Sequence, residues 1–76
     1  MKDKKILINT TSLVKNFVAE ASKLDGDVSL ISENGKYVIN GKSIMGIFSL
    51  NLSRPLYVRA ENSNKEFESF LKKIEA

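Results

Sequence analysis

Ser43 is the side chain in this sequence best placed to do chemistry. It follows Lys42 and opens the uncharged apolar run Ile44-Met45-Gly46-Ile47-Phe48-Ser49-Leu50. A serine in that setting is a good N-cap, because its hydroxyl can accept from the free amides two or three residues on. Ile44, Ile47 and Phe48 then follow at helical spacing, so the run reads as a one- or two-turn helix. A phosphate of about −1.5 to −2 charge at such a helix start would meet free amides and a favourable dipole. So short a helix cannot turn Ile44, Met45, Ile47, Phe48, Leu50 and Leu52 all inward, and a contiguous exposed apolar patch marks a partner surface. Ile47 and Leu50 are the expected inward pair.

What the rest of the chain lacks narrows the chemistry. Its 76 residues contain no histidine and no cysteine, so imidazole general-base catalysis, a thiolate nucleophile, a disulfide and a His- or Cys-based metal site are all excluded. Asp25 and Asp27 flank an expected helix end and read as solvated turn residues. No catalytic constellation, metal site or cofactor is expected, and the chain reads as a non-enzyme.

The elements that must position Ser43 follow from pattern. Lys4 to Asn9 reads as a strand. Thr10-Thr11-Ser12 supplies capping hydroxyls to a helix whose buried stripe is Leu13, Val14, Phe17, Val18, Ala21 and Leu24, with Asp25-Gly26 as its stop. Asp27 to Ser32 and Lys36 to Asn40 are β-rich runs joined through Asn34-Gly35, a strong hairpin signal. After the Ser43 helix, Arg54-Pro55 leads into a strand with Leu56 and Val58 on one face and Tyr57 and Arg59 on the other. Ser63-Asn64-Lys65-Glu66 has the form of a capping box, and Phe67, Phe70, Leu71 and Ile74 follow at helical spacing. The order β-α-β-β-α-β-α is an α+β two-layer arrangement; pattern alone leaves a ferredoxin-like topology open.

Composition bounds the class. The length is that of a single domain spanning residues 1–76 with a marginal core, and the 42% apolar content is ample for a globular fold. The start Met1-Lys2-Asp3-Lys4-Lys5 is followed by only Ile6-Leu7-Ile8, too short for a signal-peptide core or a membrane span, so a cytoplasmic protein is expected. A net charge of +3 raises the alternative of a small basic α+β nucleic-acid-binding domain. The lysines, however, are interleaved with acids and no groove-reading helix is evident.

Lys42 to Leu50 closely resembles the K-S-I-M-G-(V/I)-x-S-L segment of HPr, the phosphocarrier protein of the bacterial phosphoenolpyruvate-dependent sugar phosphotransferase system. Ala21-Ser22-Lys23-Leu24-Asp25-Gly26-Asp27-Val28 is similar to the A-S-K-(Y/F)-x-(A/S)-x-(V/I) that ends the family's first helix, and Asn34-Gly35-Lys36 falls in the matching hairpin. The resemblance implies an HPr-like open-faced β-sandwich: a four-stranded antiparallel sheet of order 1-4-2-3 with three helices on one face. In that family the phosphoryl group rides on a histidine in a G-x-H-A-R-P segment. Counting back from Ala21-Ser22-Lys23 puts Thr10 at the histidine, Ser12 at the arginine and Leu13 at the proline, and none of the three matches. The resemblance therefore implies a divergent member that cannot relay phosphate through histidine and acts as a regulatory or accessory protein by binding. In the HPr of low-GC Gram-positive bacteria the serine matching Ser43 is phosphorylated by a dedicated kinase, and the product binds a transcriptional regulator; one relative has lost the histidine and kept the serine. By the same resemblance Ile44, Met45, Phe48 and Lys42 form the docking surface, for protein partners of the phosphotransferase and carbon-regulation network.

Overall fold

A computed structural model describes residues 3–76; the charged start at Met1 and Lys2 lies outside the described residues. The elements run β1 (Lys4–Ile6), α1 (Thr11–Ser22), β2 (Val28–Ser32), β3 (Val38–Asn40), α2 (Ile44–Phe48), β4 (Leu56–Ala60) and α3 (Lys65–Lys73). The strands form one antiparallel sheet of order β1-β4-β2-β3. This is the 1-4-2-3 order implied above, and it removes the ferredoxin-like option.

Alternation in the strands sets the two faces. Ile6, Leu56, Val58, Ala60, Val28 and Leu30 are buried under the helices, with Leu30 opposite both Val58 and Ile39. Lys5, Tyr57, Ile31 and Val38 make the opposing row on the uncovered side, where Val38 is exposed. From above, α1 contributes Val14, Phe17 and Ala21, and α3 contributes Phe67 and Leu71. The Phe17 and Phe67 rings meet at 5.9 Å between centroids, a favourable tilted aromatic contact. Phe70 is only half-buried, at 6.5 Å from Phe17.

Three boundaries differ from the sequence expectation. β1 ends at Ile6 rather than Asn9, because the Leu7 amide donates to the Ile74 carbonyl at 2.8 Å; Ile8 is nonetheless fully buried. β3 begins at Val38 rather than Lys36, because side chains take over the ladder near the turn. The Lys36 amide donates to Asn34 Oδ1 and the Tyr37 amide to Ser32 Oγ, both at 3.0 Å. Gly35, at φ 77°, supplies the left-handed residue this turn requires. Finally, α3 is capped by Asn64, whose Oδ1 accepts from the Phe67 amide at 2.7 Å. Ser63 donates instead to Glu68, so the expected Ser63–Glu66 capping box does not form.

Candidate functional site

Ser43 sits at the N-cap of α2 with extended backbone, and its Oγ accepts from the Gly46 amide at 3.2 Å. Its carbonyl accepts from Ile47 and its own amide donates to the Asn40 carbonyl, each at 3.1 Å. The residue before it is fixed at both ends. The Lys42 amide donates to Asn40 Oδ1 at 2.9 Å, and the Lys42 ammonium donates to the Leu24 carbonyl at 2.7 Å. That second bond ties the start of α2 to the chain leaving α1, two residues past the helix end at Ser22, where a cation suits the negative end of the dipole. Gly41 makes the approach possible: a Cβ there would lie 2.9 Å from Val28 Cγ1, 3.1 Å from the Val28 carbonyl oxygen and 3.3 Å from the Phe17 ring.

The helix itself lies hard against the sheet edge. A Cβ on Gly46 would stand 2.9 Å from Ile39 Cγ2, so only a glycine lets α2 settle onto β3 at this distance. Ile47 points inward and is fully buried, while Leu50 and Leu52 pack half-buried against the core. Ile44, Met45 and Phe48 are 36%, 83% and 44% exposed. Phe48 is i+4 to Ile44 and i+3 to Met45, so it neighbours both on the helix surface and the three form one apolar face. Ser49 Oγ closes the helix by donating to the Gly46 carbonyl.

Thr10 stands elsewhere, as the exposed N-cap of α1, with Oγ1 accepting from the Leu13 amide at 3.2 Å. Ser12 is exposed beside it and Leu13 is half-buried. A threonine hydroxyl capping a helix offers no imidazole nitrogen and no adjacent guanidinium. Asp25 and Asp27 are exposed, and their backbone carbonyls, not their carboxylates, make the bonds: Asn62 Nδ2 donates to Asp25 at 2.8 Å and the Glu61 amide to Asp27 at 3.0 Å. Among the described residues no group of three His, Cys, Asp or Glu side chains could hold a metal ion.

The perturbed titrations belong to surface ion pairs away from α2. The Arg54 guanidinium, donating to Glu33 Oε1 from Nε at 3.1 Å and Nη2 at 2.7 Å, holds the Glu33 carboxyl below its ordinary value. Asp3 is lowered in the same way by Arg59, and Arg59 is raised in return. Each arginine thus pairs with a carboxylate through Nε and Nη2. Sequence reasoning gave no sign of the Lys42–Leu24 bond or of these pairs, since each joins residues far apart in the chain.

Among the described residues no helix is long and apolar enough to cross a membrane. No family model and no curated protein matches the sequence. Solved structures do. The HPr of Bacillus anthracis aligns at 22% identity over 97% of this chain and 94% of its own, with a TM-score of 0.64. A histidine-containing phosphocarrier protein of Mycoplasma aligns at 16% identity over 93% and 82%, with a TM-score of 0.61. These two share the fold. The HPr of Thermoanaerobacter tengcongensis is 30% identical over 96% of this chain and 89% of its own, with a TM-score of 0.73. With that identity over nearly the whole length, and the K-S-I-M-G-I-F-S-L segment seated at the start of α2, the chain belongs to the HPr family.

Proposed function

We propose that this HPr-family chain serves the sugar phosphotransferase system by binding other proteins through the outer face of α2, and not by relaying phosphate through histidine. The observation that carries the reading is the exposed trio Ile44, Met45 and Phe48 on a helix whose inward side is already filled by Ile47. Met45, at 83% exposed, contributes almost nothing to the core. A flexible thioether between an isoleucine and a phenylalanine suits an adaptable docking surface. Lys42 enters as a support, since its ammonium fastens the entry to this face.

Loss of the relay follows from chemistry. A phosphoryl group that must be passed on needs a reactive bond such as imidazole phosphoramidate, and the chain has no histidine. A phosphate ester on Thr10, the position matching the family's histidine, is too stable to serve. Ser43 takes the regulatory part in this reading: a serine kinase adds a phosphate there, and the charge beside Ile44 changes which partner binds, a transcriptional regulator among them. The protein works in the cytoplasm and catalyses nothing itself. Nucleic-acid binding is not favoured, because the chain shares its fold with HPr phosphocarriers and its 12 lysines and arginines are interleaved with 9 acids.

Calorimetric titration of the cognate enzyme I with the wild type and Met45→Lys tests the reading. Saturable binding by the wild type, weakened at least about tenfold by a charge at the centre of the face, supports it. Absence of binding, or equal binding by both proteins, overturns it.

A further inference from the structure

A cleft of about 480 Å³ lies between the β2–β3 hairpin and the chain joining α2 to β4. Its floor is apolar, made by Tyr37, Ile39, Leu50, Pro55 and Leu56. That volume falls in the range of roughly 300–1,000 Å³ typical of small-molecule sites. The docking face is separate, for Ile44, Met45 and Phe48 line none of the cleft.

Side-chain donors are left free at the rim. Asn34 Oδ1 already accepts from Ser32 Oγ at 2.7 Å and from the Lys36 amide at 3.0 Å. Asn51 Oδ1 accepts from Ser53 Oγ at 2.6 Å and from the Ser53 amide at 3.2 Å. A backbone amide can only donate, so in both carboxamides the oxygen is turned to the chain, and neither amide nitrogen has a partner among the described residues. Glu33, the one carboxylate in the lining, is occupied by Arg54 through Oε1 and lies 3.6 Å from the Lys5 ammonium through Oε2. Arg54 keeps its Nη1 hydrogens free. Arg54 and Glu33 line the cleft, and Lys5, outside the lining, leaves the three-residue group with one net positive charge.

We infer that this cleft binds a small organic anion, a phosphate monoester or carboxylate with an apolar body, its charged group on Arg54 and the Asn34 and Asn51 amides and its body on the apolar floor. The inference does not rest on the docking face or on any partner protein.

Phenyl phosphate is the probe, followed by backbone amide shifts in NMR titration, with benzyl alcohol and inorganic phosphate as the uncharged and bodiless counterparts. Phenyl phosphate is expected to saturate, to move the amides of Tyr37, Ile39, Leu50 and Asn51, and to bind more tightly than either counterpart. Asn51→Asp keeps the oxygen that holds Ser53 and replaces the donating nitrogen with a repelling oxygen, and Arg54→Gln removes the cation. Each variant is expected to weaken phenyl phosphate about two- to fivefold, the effect of one exposed charge contact. Equal binding of benzyl alcohol or of inorganic phosphate, shifts that do not saturate or map elsewhere, or unchanged affinity in two variants that keep wild-type spectra would overturn the assignment. If either variant unfolds, the three wild-type titrations decide the matter alone.

Discussion

Replacing Ile47 and Met45, two residues apart on one short helix, should separate stability from binding. Ile47 is fully buried and Met45 is 83% exposed. Ile47→Ala deletes three carbons from a closed site, which costs about 2–4 kcal/mol through lost burial and the cavity left behind. For a chain of this length 1 kcal/mol moves Tm by roughly 4–8 °C, so the variant should melt about 10–30 °C below the wild type. Met45→Lys removes no buried surface and should stay within about 0.5 kcal/mol of the wild type. Phe48→Ala, a residue 44% exposed, should fall between them at about 1–1.5 kcal/mol, half the value of a fully buried phenylalanine. Urea unfolding followed by circular dichroism, with thermal melts alongside, reads all three. If Met45→Lys destabilised as much as Ile47→Ala, the outer side of α2 would be packed against something and the reasoning from exposure would fail.

Ser43→Ala should lose about 1 kcal/mol by freeing the Gly46 amide, whereas Ser43→Asp, which retains a capping oxygen, should stay close to the wild type in the same unfolding assay. Gly41→Ala should cost about 1–3 kcal/mol, since its methyl group would press on Val28, carbonyl included, and on the Phe17 ring. Glu33 contributes to the acid limb of stability. Its carboxyl is lowered in the folded chain by Arg54, so that contribution is present above its ordinary value of 4.5 and is lost as pH falls below it through the folded value. Glu33→Gln should therefore flatten the pH dependence of unfolding in that window and leave the neutral range nearly unchanged. High salt should shrink the difference, because the pair is exposed.

Much of this fold was legible because its signals are local. Asn34-Gly35 announced the β2–β3 hairpin, Leu56 and Val58 marked the inward side of β4, and Ser43 opened α2 as its type and place required. The neighbours of each strand were not legible from pattern, since periodicity says which face is apolar and not which strand lies alongside. The resemblance around Lys42 to Leu50 supplied the order 1-4-2-3. Where sequence reasoning missed, one contact displaced another, distant for β1 and local for α3. Leu7 left β1 for the Ile74 carbonyl, and Asn64 with its amide contact displaced Ser63 as the cap of α3. The cleft was not legible because it joins two segments far apart in the chain, Ser32–Ile39 and Ser49–Leu56.

The proposed role requires that this member of the family has left the phosphate relay. Incubation with phosphoenolpyruvate and enzyme I, followed by intact mass before and after mild acid, tests it most directly. No mass gain of a phosphoryl group is expected on the chain, while an HPr that carries the histidine is modified in the same tube. An acid-labile phosphoryl group on this chain would contradict it.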